Sequence, residues 1–373
     1  MKVNRNLTVV FLLFIVGLSL ISLFSPPRLF SPRENRYLAQ RPRLTLNNIL
    51  TGKFMAAYEQ FVTDQFPGRD SWVLLKMDVE WLLNKQESSG IYFAQDGYLL
   101  ERYELDERWL RQNADYISGF AQRTGLPTTL LLAPTAIAIY PEKLPPGAPT
   151  DEQQLAWQLV RERLGSGVEL IDVWDSLHGH KQEPIYFRTD HHWTMRGAYY
   201  AYQALLLQQG KQPLPLSSLK STIVSSNFYG THYAKASWRR LQPDEIEVLH
   251  PWPAPAVSVY YPAEDLRRDS LFVSAYLDQV DQYAYFLGGN HGIMQIKTAA
   301  NNGRSLLVVK DSYAHCFLPF LTAHYEHIHV LDLRYFSLSV SQYAQEHGCD
   351  EALFLFSISQ FSQPASLHKL SQD

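Results

Sequence analysis

The sequence predicts a three-layer α/β/α fold with a β-rich insertion and one N-terminal transmembrane helix. Short apolar runs alternate with amphipathic stretches from about residue 103 to the end of the chain, which is the pattern of strand–helix–strand units around a parallel sheet. Residues 211–285 interrupt this alternation with short β-like runs rich in Pro, Ser and Tyr. The segment 7–24 contains no charged residue, as expected of a membrane-spanning helix.

The N-terminal apolar run favours a membrane anchor. Lys2 and Arg5 precede the 18 uncharged residues LTVVFLLFIVGLSLISLF, and positive residues before such a run favour a cytoplasmic N-terminus. A cleaved signal peptide usually ends in a small-x-small site, for which SLFS is a poor match. We therefore expect residues 1–24 to be an uncleaved signal anchor in the plasma membrane, with the rest of the chain outside the cytoplasm.

Residues 25–44 carry four prolines and five arginines and predict an extended stalk. A domain over 45–373 follows, with residues 211–285 as its insertion. It begins with two helices, within 47–66 and 71–84, that are separated by Pro67-Gly68. Residues 90–101 then predict a β-hairpin that turns at Asp96-Gly97.

The α/β pattern places strands in the continuous apolar runs and helices in the amphipathic stretches between them. Thr194 is a plausible cap for the helix that follows it. The predicted strands are 128–134, 168–174, 305–310, 327–333 and 351–357, and the predicted helices are 106–123, 151–164, 194–209, 313–325 and 337–347.

Composition excludes some classes of function. The 33 basic and 37 acidic residues give a net charge of −4, which does not indicate the basic face of a nucleic-acid-binding protein. Cys316 and Cys349 are the only cysteines, too few for a disulfide framework or a cysteine-rich zinc site. The 22 tyrosines and 8 tryptophans are compatible with sugar binding, but large folds also use aromatic rings in their cores.

The segment FRTDHHWTMRGAYY, residues 187–200, is the first candidate for chemistry. In an extended segment, Asp190 and His192 leave the chain on the same side, so the carboxylate can accept from one ring nitrogen and leave the other free as a base. A surface loop with incidental histidines is the alternative for so short a motif.

A metal site is a second alternative for this segment. Neighbouring residues in a strand point opposite ways, so Asp190, His191 and His192 would not easily reach one ion together. Further ligands would have to come from elsewhere, for example from His178 or His291. We expect no metal at this site.

A nucleophile is suggested by SLLVVKDSYAHCF, in which Ser312 follows an apolar strand and precedes a predicted helix. Such a serine lies at the carboxyl edge of a parallel sheet, where these folds bind ligands, and helix amides could hold a developing oxyanion. In FLGGNHG, the Gly289 amide and the Asn290 side chain could complete an oxyanion hole. A helix-capping serine and a simple glycine turn are the structural alternatives.

Four motifs together resemble one known family. TDHHWT, FLGGNHG, LLVVKDSYAHCFLPFL and VLDLRYF closely resemble the DHHW family of exported bacterial proteins. That family is similar to the catalytic domains of alginate O-acetyltransferases, which are SGNH-hydrolase-like. The resemblance runs from SPRENRYLAQRP near the predicted stalk to LFLFS near the end of the chain.

The resemblance implies roles for particular residues. It places an Asp–His–Ser triad on Asp190, His192 and Ser312. It matches the oxyanion blocks more loosely, at Gly289 and Asn290. Two further residues, Arg334 and Tyr335, are candidate substrate contacts. The chain departs from simpler SGNH enzymes at Asp311, where those enzymes have glycine before the serine.

The resemblance also implies an activity. We expect a membrane-anchored, extracytoplasmic O-acetyltransferase that acts on a cell-envelope or exported polysaccharide and needs no cofactor. Its acyl donor would be supplied by a membrane-bound O-acyltransferase partner. A carbohydrate acetyl esterase with the same triad and a non-catalytic glycan-binding surface protein are the alternatives.

Overall fold

The structure is a computed structural model that describes residues 5–31, 36–236, 241–252 and 254–372. Parts of the predicted stalk (32–35) and of the predicted insertion (237–240 and 253) lie outside the described residues. Two compact units are present, one within residues 1–86 and 234–239 and the other within 87–233 and 240–373. The predicted boundaries of anchor, stalk, domain and insertion stay predictions.

Helices and strands occupy most of both units. The helices are α1 (Arg5–Phe24), α2 (Leu46–Leu50), α3 (Lys53–Asp64), α4 (Arg69–Leu82), α5 (Glu107–Thr124), α6 (Ala136–Ile139), α7 (Gln153–Arg163), α8 (Trp174–Gly179), α9 (Met195–Gln208), α10 (Thr231–Ala236), α11 (Leu318–Leu321), α12 (Val340–Glu346) and α13 (Ile358–Phe361). The strands are β1 (Phe30–Ser31), β2 (Arg36–Tyr37), β3 (Glu87–Ser88), β4 (Ile91–Phe93), β5 (Leu99–Glu101), β6 (Thr128–Ala133), β7 (Val168–Ile171), β8 (Leu219–Phe228), β9 (Asp244–Pro251), β10 (Val257–Tyr261), β11 (Leu266–Arg268), β12 (Ile293–Thr298), β13 (Ser305–Lys310), β14 (His327–Leu331) and β15 (Glu351–Ser357).

Helix α1 matches the predicted membrane segment. Its 20 residues extend about 30 Å as a helix, the thickness of a bilayer's hydrocarbon core. Among the described residues it is the one helix long and apolar enough to cross a membrane, with a mean hydropathy of 2.8 over Asn6–Phe24. Its apolar side chains are largely exposed in the structure.

Part of the predicted stalk is folded against helices of the smaller unit. The guanidinium of Arg36 makes two hydrogen bonds to the buried carboxylate of Asp64 in α3, at 2.9 and 2.7 Å. The Ala39 amide donates to the same carboxylate at 2.8 Å. The helix predicted within 47–66 is two helices, because Gly52, with φ +72°, lies between α2 and α3 in a left-handed conformation.

The larger unit is built on a mixed sheet. Its eight described strands lie in the order β11-β10-β12-β14-β13-β15-β6-β7. Neighbours from β14 to β7 are parallel, as predicted. Neighbours from β11 to β14 are antiparallel, so the expected parallel sheet is part of a mixed one. Strands β10 and β11 form a hairpin, and the two strands of a hairpin are always antiparallel. This hairpin extends one edge of the sheet with antiparallel strands.

The remaining strands form smaller sheets. Strands β4 and β5 are the predicted hairpin, with Gln95–Gly97 at its turn, and β3 pairs with β4. Strands β8 and β9, within the predicted insertion, pair separately from the main sheet. The mixed α/β class is thus established, while the three-layer arrangement stays a prediction.

The core of the larger unit lies around the central strands. Every residue of β6 and β13 is buried, which accounts for the apolar runs 130–133 and 306–309 within them. Helix α5 buries the stripe Leu110, Ala114, Ile117 and Phe120, whose three- and four-residue spacing places these side chains on one face. Phe120 contacts Phe354 of β15 edge-to-face, with ring centroids 5.4 Å apart. This packing fixes the strand ends from which the site is built.

Candidate active site

Residues 185–194 form a bent loop that leads into α9. A backbone bridge joins Tyr186 to Trp193, and the Thr194 amide donates to the Ile185 carbonyl at 3.0 Å. The Thr194 hydroxyl accepts from the Gly197 amide at 3.2 Å and so caps α9, as predicted. The extended segment expected here is wrong, because the chain returns to its own backbone and must bend between the bridged residues.

The bend brings the side chains of Asp190 and His192 together. Nδ1 of His192 lies 2.5 Å from Oδ1 of Asp190, and the same oxygen accepts from the His192 amide at 3.0 Å. An ionised carboxylate only accepts hydrogen bonds, so Nδ1 carries the proton and Nε2 is left to accept one. Both side chains are buried.

The second carboxylate oxygen of Asp190 is held by Thr231. It accepts from the Thr231 amide at 2.7 Å and from the Thr231 hydroxyl at 3.0 Å. Gly230 permits this approach, because a Cβ at that position would lie 2.2 Å from the Cβ of Asp190. Burial alone would raise the pKa of Asp190, but the charges of His191 and His192 and these hydrogen bonds hold it well below its usual range.

Ser312 begins a 3₁₀-helix directly after β13, at the carboxyl end of that strand. Its Oγ lies 2.7 Å from Nε2 of His192, although 120 positions separate the two residues. Ser312 is partly exposed, whereas His192 is buried, so the hydroxyl is the member of the pair that solvent reaches. The structure therefore joins Asp190, His192 and Ser312 in one line of hydrogen bonds, and their catalytic roles stay a prediction.

Asp311, the residue before Ser312, makes hydrogen bonds that hold the backbone around the serine. Its Oδ1 accepts from the Tyr313 amide at 2.8 Å, and its Oδ2 accepts from the Ser357 amide at 2.8 Å and from the Ser357 hydroxyl at 3.0 Å. Asp311 thus ties the end of β13 to the end of β15. The carboxylate thereby fixes the backbone from which Ser312 projects.

The single helix predicted over 313–325 is wrong. A 3₁₀-helix over Ser312–Ala314 is followed by turns and then by α11, which has Pro319 in its first turn. Proline lacks an amide hydrogen and fits only the first turn of a helix, so a new helix starts there. The long helix whose N-terminus was expected to face the serine is therefore a single short turn.

Aromatic side chains hold the loop against this turn. The indole Nε1 of Trp193 donates to the Tyr313 carbonyl at 2.9 Å, and the Tyr313 hydroxyl donates to the His191 carbonyl. The ring of Tyr283 stacks on the ring of His192, with centroids 3.8 Å apart and planes 10° from parallel. The positions of the loop and the serine are thus mutually fixed.

His192 is held in its neutral form at neutral pH. Burial, and then the positive charge of His191, lowers the pKa of His192 to about 4, while Asp190 opposes both effects. A neutral imidazole whose Nε2 faces a hydroxyl can accept the hydroxyl proton. The geometry and the charge state therefore suit a general base.

The predicted oxyanion residues lie in a turn after Phe286. Gly289 has φ +92°, in the left-handed region, and its amide donates to the Phe286 carbonyl at 3.3 Å. Oδ1 of Asn290 accepts from Nη2 of Arg334 at 3.0 Å. Neither predicted residue hydrogen-bonds to Ser312 within the described part of the chain, and their assignment as oxyanion donors stays a prediction.

The predicted substrate contacts are exposed. Arg334 makes hydrogen bonds of 2.9 and 2.6 Å to the carboxylate of Asp332, and its guanidinium carbon lies 5.5 Å from the ring centroid of Tyr335. Asp332 also lies 3.3 Å from the buried ammonium of Lys310, which is 2.8 Å from Nε2 of His315. Arg334 thus extends a buried polar network to the surface, and its contact with substrate stays a prediction.

Comparison with known proteins places the chain in a family. Residues 129–331 match the family model described as DHHW protein, which is more than half of the chain. This chain belongs to the DHHW family. The matched residues contain the Asp190 loop, the turn at Gly289 and the strand that ends before Ser312, so the family pattern includes each segment of the site.

Solved structures share this DHHW fold. A DHHW family protein from Eubacterium siraeum is 27% identical, with a TM-score of 0.67 over 77% of this chain and 96% of that one. PatB1 of Bacillus cereus, solved with a sulfonyl adduct, is 22% identical, with a TM-score of 0.61 over 74% of this chain and 98% of that one. These likenesses establish a fold that is shared over about three quarters of this chain.

A sequence relative carries a functional name. The DHHW chain is 26% identical over 171 residues to the probable alginate O-acetylase AlgJ of Pseudomonas syringae pv. tomato. The alignment covers 42% of this chain and 43% of AlgJ, so the chain spans less than half the length of that relative.

The DHHW loop also has the composition of a metal site. Ligand atoms of Asp190, His191 and His192 lie within 4.8 Å of one another. The expectation that adjacent histidines point apart is wrong, because the loop is bent and their ring centroids are 3.7 Å apart. However, the carboxylate already accepts four hydrogen bonds, and Nδ1 of His191 lies 2.6 Å from the Thr231 hydroxyl. A cation would have to displace these contacts, and the expected absence of a metal stays a prediction.

Three residues of the DHHW site were missed from the sequence. Thr231, Gly230 and Tyr283 lie in the predicted insertion, far along the chain from Asp190 and Ser312. Gly230 alone had a local signal, because an isolated glycine beside a β-like run can mark close backbone approach. Tyr283 is one aromatic residue among many, and nothing in its local sequence distinguished it.

Proposed function

We propose that this DHHW protein is an O-acetyltransferase that transfers an acetyl group to a hydroxyl of a cell-envelope or exported polysaccharide. One observation carries the proposal: Asp190, His192 and Ser312 are joined by hydrogen bonds of 2.5 and 2.7 Å. A carboxylate, an imidazole and a hydroxyl in that order are the parts of an activated serine nucleophile. The relative named as a probable alginate O-acetylase supports an acetyl group and a polysaccharide acceptor.

The first half of the reaction would acylate the enzyme. Nε2 of His192 takes the proton of Ser312 as Oγ attacks the acetyl carbonyl of the donor ester. The resulting imidazolium is stabilised by Asp190 and then protonates the leaving alkoxide, so the donor departs as an alcohol. General base assistance of this kind is worth roughly 10²- to 10⁴-fold in rate.

The second half would transfer the acetyl group. A sugar hydroxyl takes the place of the departed alcohol and gives its proton to the neutral His192 as it attacks the acetyl-Ser312 ester. The tetrahedral intermediate then releases Ser312 Oγ, which recovers a proton from His192. The products are an acetylated sugar and the original enzyme, and the scheme requires no cofactor.

Oxyanion stabilisation is assigned, within this proposal, to Gly289 and Asn290. The Gly289 amide would exchange its 3.3 Å hydrogen bond to Phe286 for the oxyanion, a modest loss for a bond of that length. One such donor is worth roughly 10²- to 10³-fold in rate. Exposed Arg334 and Tyr335 would contact the acceptor sugar.

The proposed function also requires a cellular location for the protein and a source of the acetyl donor. Helix α1 would anchor the protein in the plasma membrane, with the larger unit outside the cytoplasm as a three-layer SGNH-like domain. The supporting observation is the length and apolar character of Asn6–Phe24. A membrane-bound O-acyltransferase would present the acetyl donor at the outer face of the bilayer.

Product analysis tests this function. The full-length protein in detergent would be given an activated acetyl ester with and without oligosaccharides of envelope polysaccharides, and mass spectrometry would follow acetyl on Ser312 and on sugar. We expect acetyl-Ser312 and an acetylated oligosaccharide with the wild type and neither with Ser312→Ala.

The other outcomes identify the alternatives. Acetate release that is Ser312-dependent, with no acetylated sugar from any oligosaccharide, would identify an esterase. Identical behaviour of the wild type and Ser312→Ala would contradict catalysis through this serine and leave glycan binding as the function.

A further inference from the structure

Tyr283 contacts both groups on which the proposed reaction depends. Its ring is stacked on the imidazole of His192, with centroids 3.8 Å apart and planes within 10°. Its hydroxyl donates to the carbonyl oxygen of Ser312 at 3.1 Å and lies 3.4 Å from Sγ of Cys316. The side chain is buried, 5% exposed. One rigid side chain thus touches the base and the backbone of the nucleophile.

The position of Tyr283 is set by its own segment. It lies in a 3₁₀-helix over Gln282–Tyr285, where its carbonyl accepts from the Phe286 amide at 3.1 Å. A backbone bridge joins Phe272 to Phe286, and the rings of Phe187 and Phe286 contact that of Tyr283 at centroid distances of 6.2 and 5.4 Å. The bridge and the Phe286 ring hold Tyr283 from its own segment, and Phe187 adds a contact from the loop that carries His192, so Tyr283 can support that loop.

We propose that Tyr283 is a positioning residue for acyl transfer: its ring fixes the plane of the His192 imidazole and its hydroxyl fixes the backbone of Ser312. This inference rests on the proposed function. The hydrogen bond to Asp190 anchors Nδ1 but lets the ring tilt about that bond, and a parallel aromatic ring opposes the tilt. Displacement of a reacting atom by about 1 Å can cost about 10²-fold in rate.

The chemistry of the phenol agrees with this role. Burial holds the pKa of Tyr283 well above its usual value, so the hydroxyl stays protonated and remains a donor to the Ser312 carbonyl. The face of the ring also attracts a cation, which favours the imidazolium that His192 becomes in each half-reaction. The carboxylate of Asp190 stabilises that cation in the plane of the imidazole, and the ring of Tyr283 stabilises it from one face of the imidazole.

Substitutions separate the ring from the hydroxyl. Tyr283→Phe keeps the ring, and Tyr283→Leu and Tyr283→Met remove it. Tyr285→Leu is the matched control, because Tyr285 is a buried tyrosine of the same 3₁₀-helix that stacks on Phe272. Full-length proteins in detergent would be compared for kcat and KM with an activated acetyl ester, and thermal unfolding would verify folding.

We expect Tyr283→Phe to lower kcat about threefold to tenfold, as for the loss of one hydrogen bond. Tyr283→Leu and Tyr283→Met should lower kcat about 30- to 100-fold through the displaced imidazole, with little change in KM. The control should stay within about threefold of the wild type, since its ring contacts neither reacting group. Partial recovery of kcat by phenylalanine is the readout that general destabilisation would not produce.

Folded leucine and methionine variants with wild-type kcat would overturn the inference, as would a rise in KM at unchanged kcat. If neither variant folds, Tyr283→Phe decides, and a wild-type kcat there would overturn it. Ser312→Ala is measured in parallel. Equal activity of Ser312→Ala and the wild type would reject the proposed function itself. An activity that is lost in Ser312→Ala but unchanged in the Tyr283 variants would reject this inference alone.

Discussion

At the residue scale, the orientation of one imidazole determines the chemistry available to Ser312. Asp190 fixes the tautomer of His192, and Nε2 is left 2.7 Å from the serine hydroxyl. The Asp–His pair and the strand before Ser312 marked these three residues as candidates, and the family resemblance joined them as a triad. The extended geometry expected for the pair was wrong. Thr231 and Tyr283 were not predictable, because their contacts join distant segments and their residue types are common in loops and cores.

The low pKa of His192 leads to a prediction for pH dependence. His192 acts as a base only when neutral, and its pKa is lowered to about 4 by burial and by the charge of His191. The neutral form therefore predominates above that value, so kcat/KM for an acetyl ester should be level from neutral pH down to about pH 5 and fall below it.

Replacing His191 tests whether its charge contributes to the low pKa of His192. His191→Asn removes the charge that lowers the pKa of His192, so that pKa should rise and the acid limb of the kcat/KM profile should move to higher pH. Asparagine can still hydrogen-bond to the Thr231 hydroxyl. A wild-type limb near the ordinary histidine value of about 6.5 would contradict the account, as would a limb that moves to lower pH.

At the scale of elements, the site is a junction of loop, strand end and turn. The strands 305–310 and 351–357 were predicted with correct bounds, because their apolar runs are buried along their whole length. The helix over 313–325 was not, because Pro319 starts a separate helix. The bent loop at Asp190 was also missed, since its shape depends on a backbone bridge and on the approach of Gly230.

Gly230 is the element-scale test of this junction. A Cβ in Gly230→Ala would lie 2.2 Å from the Cβ of Asp190, so the loop or the carboxylate must move. Forced overpacking of this kind costs about 1 to 3 kcal/mol of unfolding free energy. We also expect kcat to fall about 10²-fold, because Asp190 would no longer orient His192.

Thermal unfolding and ester kinetics measure both effects. Gly179→Ala is the matched control, since its added Cβ would meet no atom within 4 Å and its backbone angles suit alanine. Wild-type stability and kcat in Gly230→Ala would show that the loop accommodates the methyl group and that the close approach is unimportant.

At the scale of the whole molecule, the carboxyl edge of the parallel strands collects the polar residues. Asp311 follows β13, Asp332 follows β14 and Ser357 ends β15, and all three take part in side-chain hydrogen bonds at this edge. The strand–helix alternation was sufficient to predict this edge and the serine on it. It could not predict that β10–β12 join this sheet as antiparallel neighbours, because that pairing depends on contacts between distant segments.

The fold unites His192 with Ser312, and we propose that this contact activates the serine. Labelling the full-length protein with an aryl sulfonyl fluoride, followed by peptide mass mapping and rate measurement, tests it most directly. We expect a sulfonyl adduct on Ser312, with a labelling rate that falls about 10²- to 10⁴-fold in His192→Ala. A folded wild type without label on Ser312, or a His192→Ala variant labelled as fast as the wild type, would contradict it.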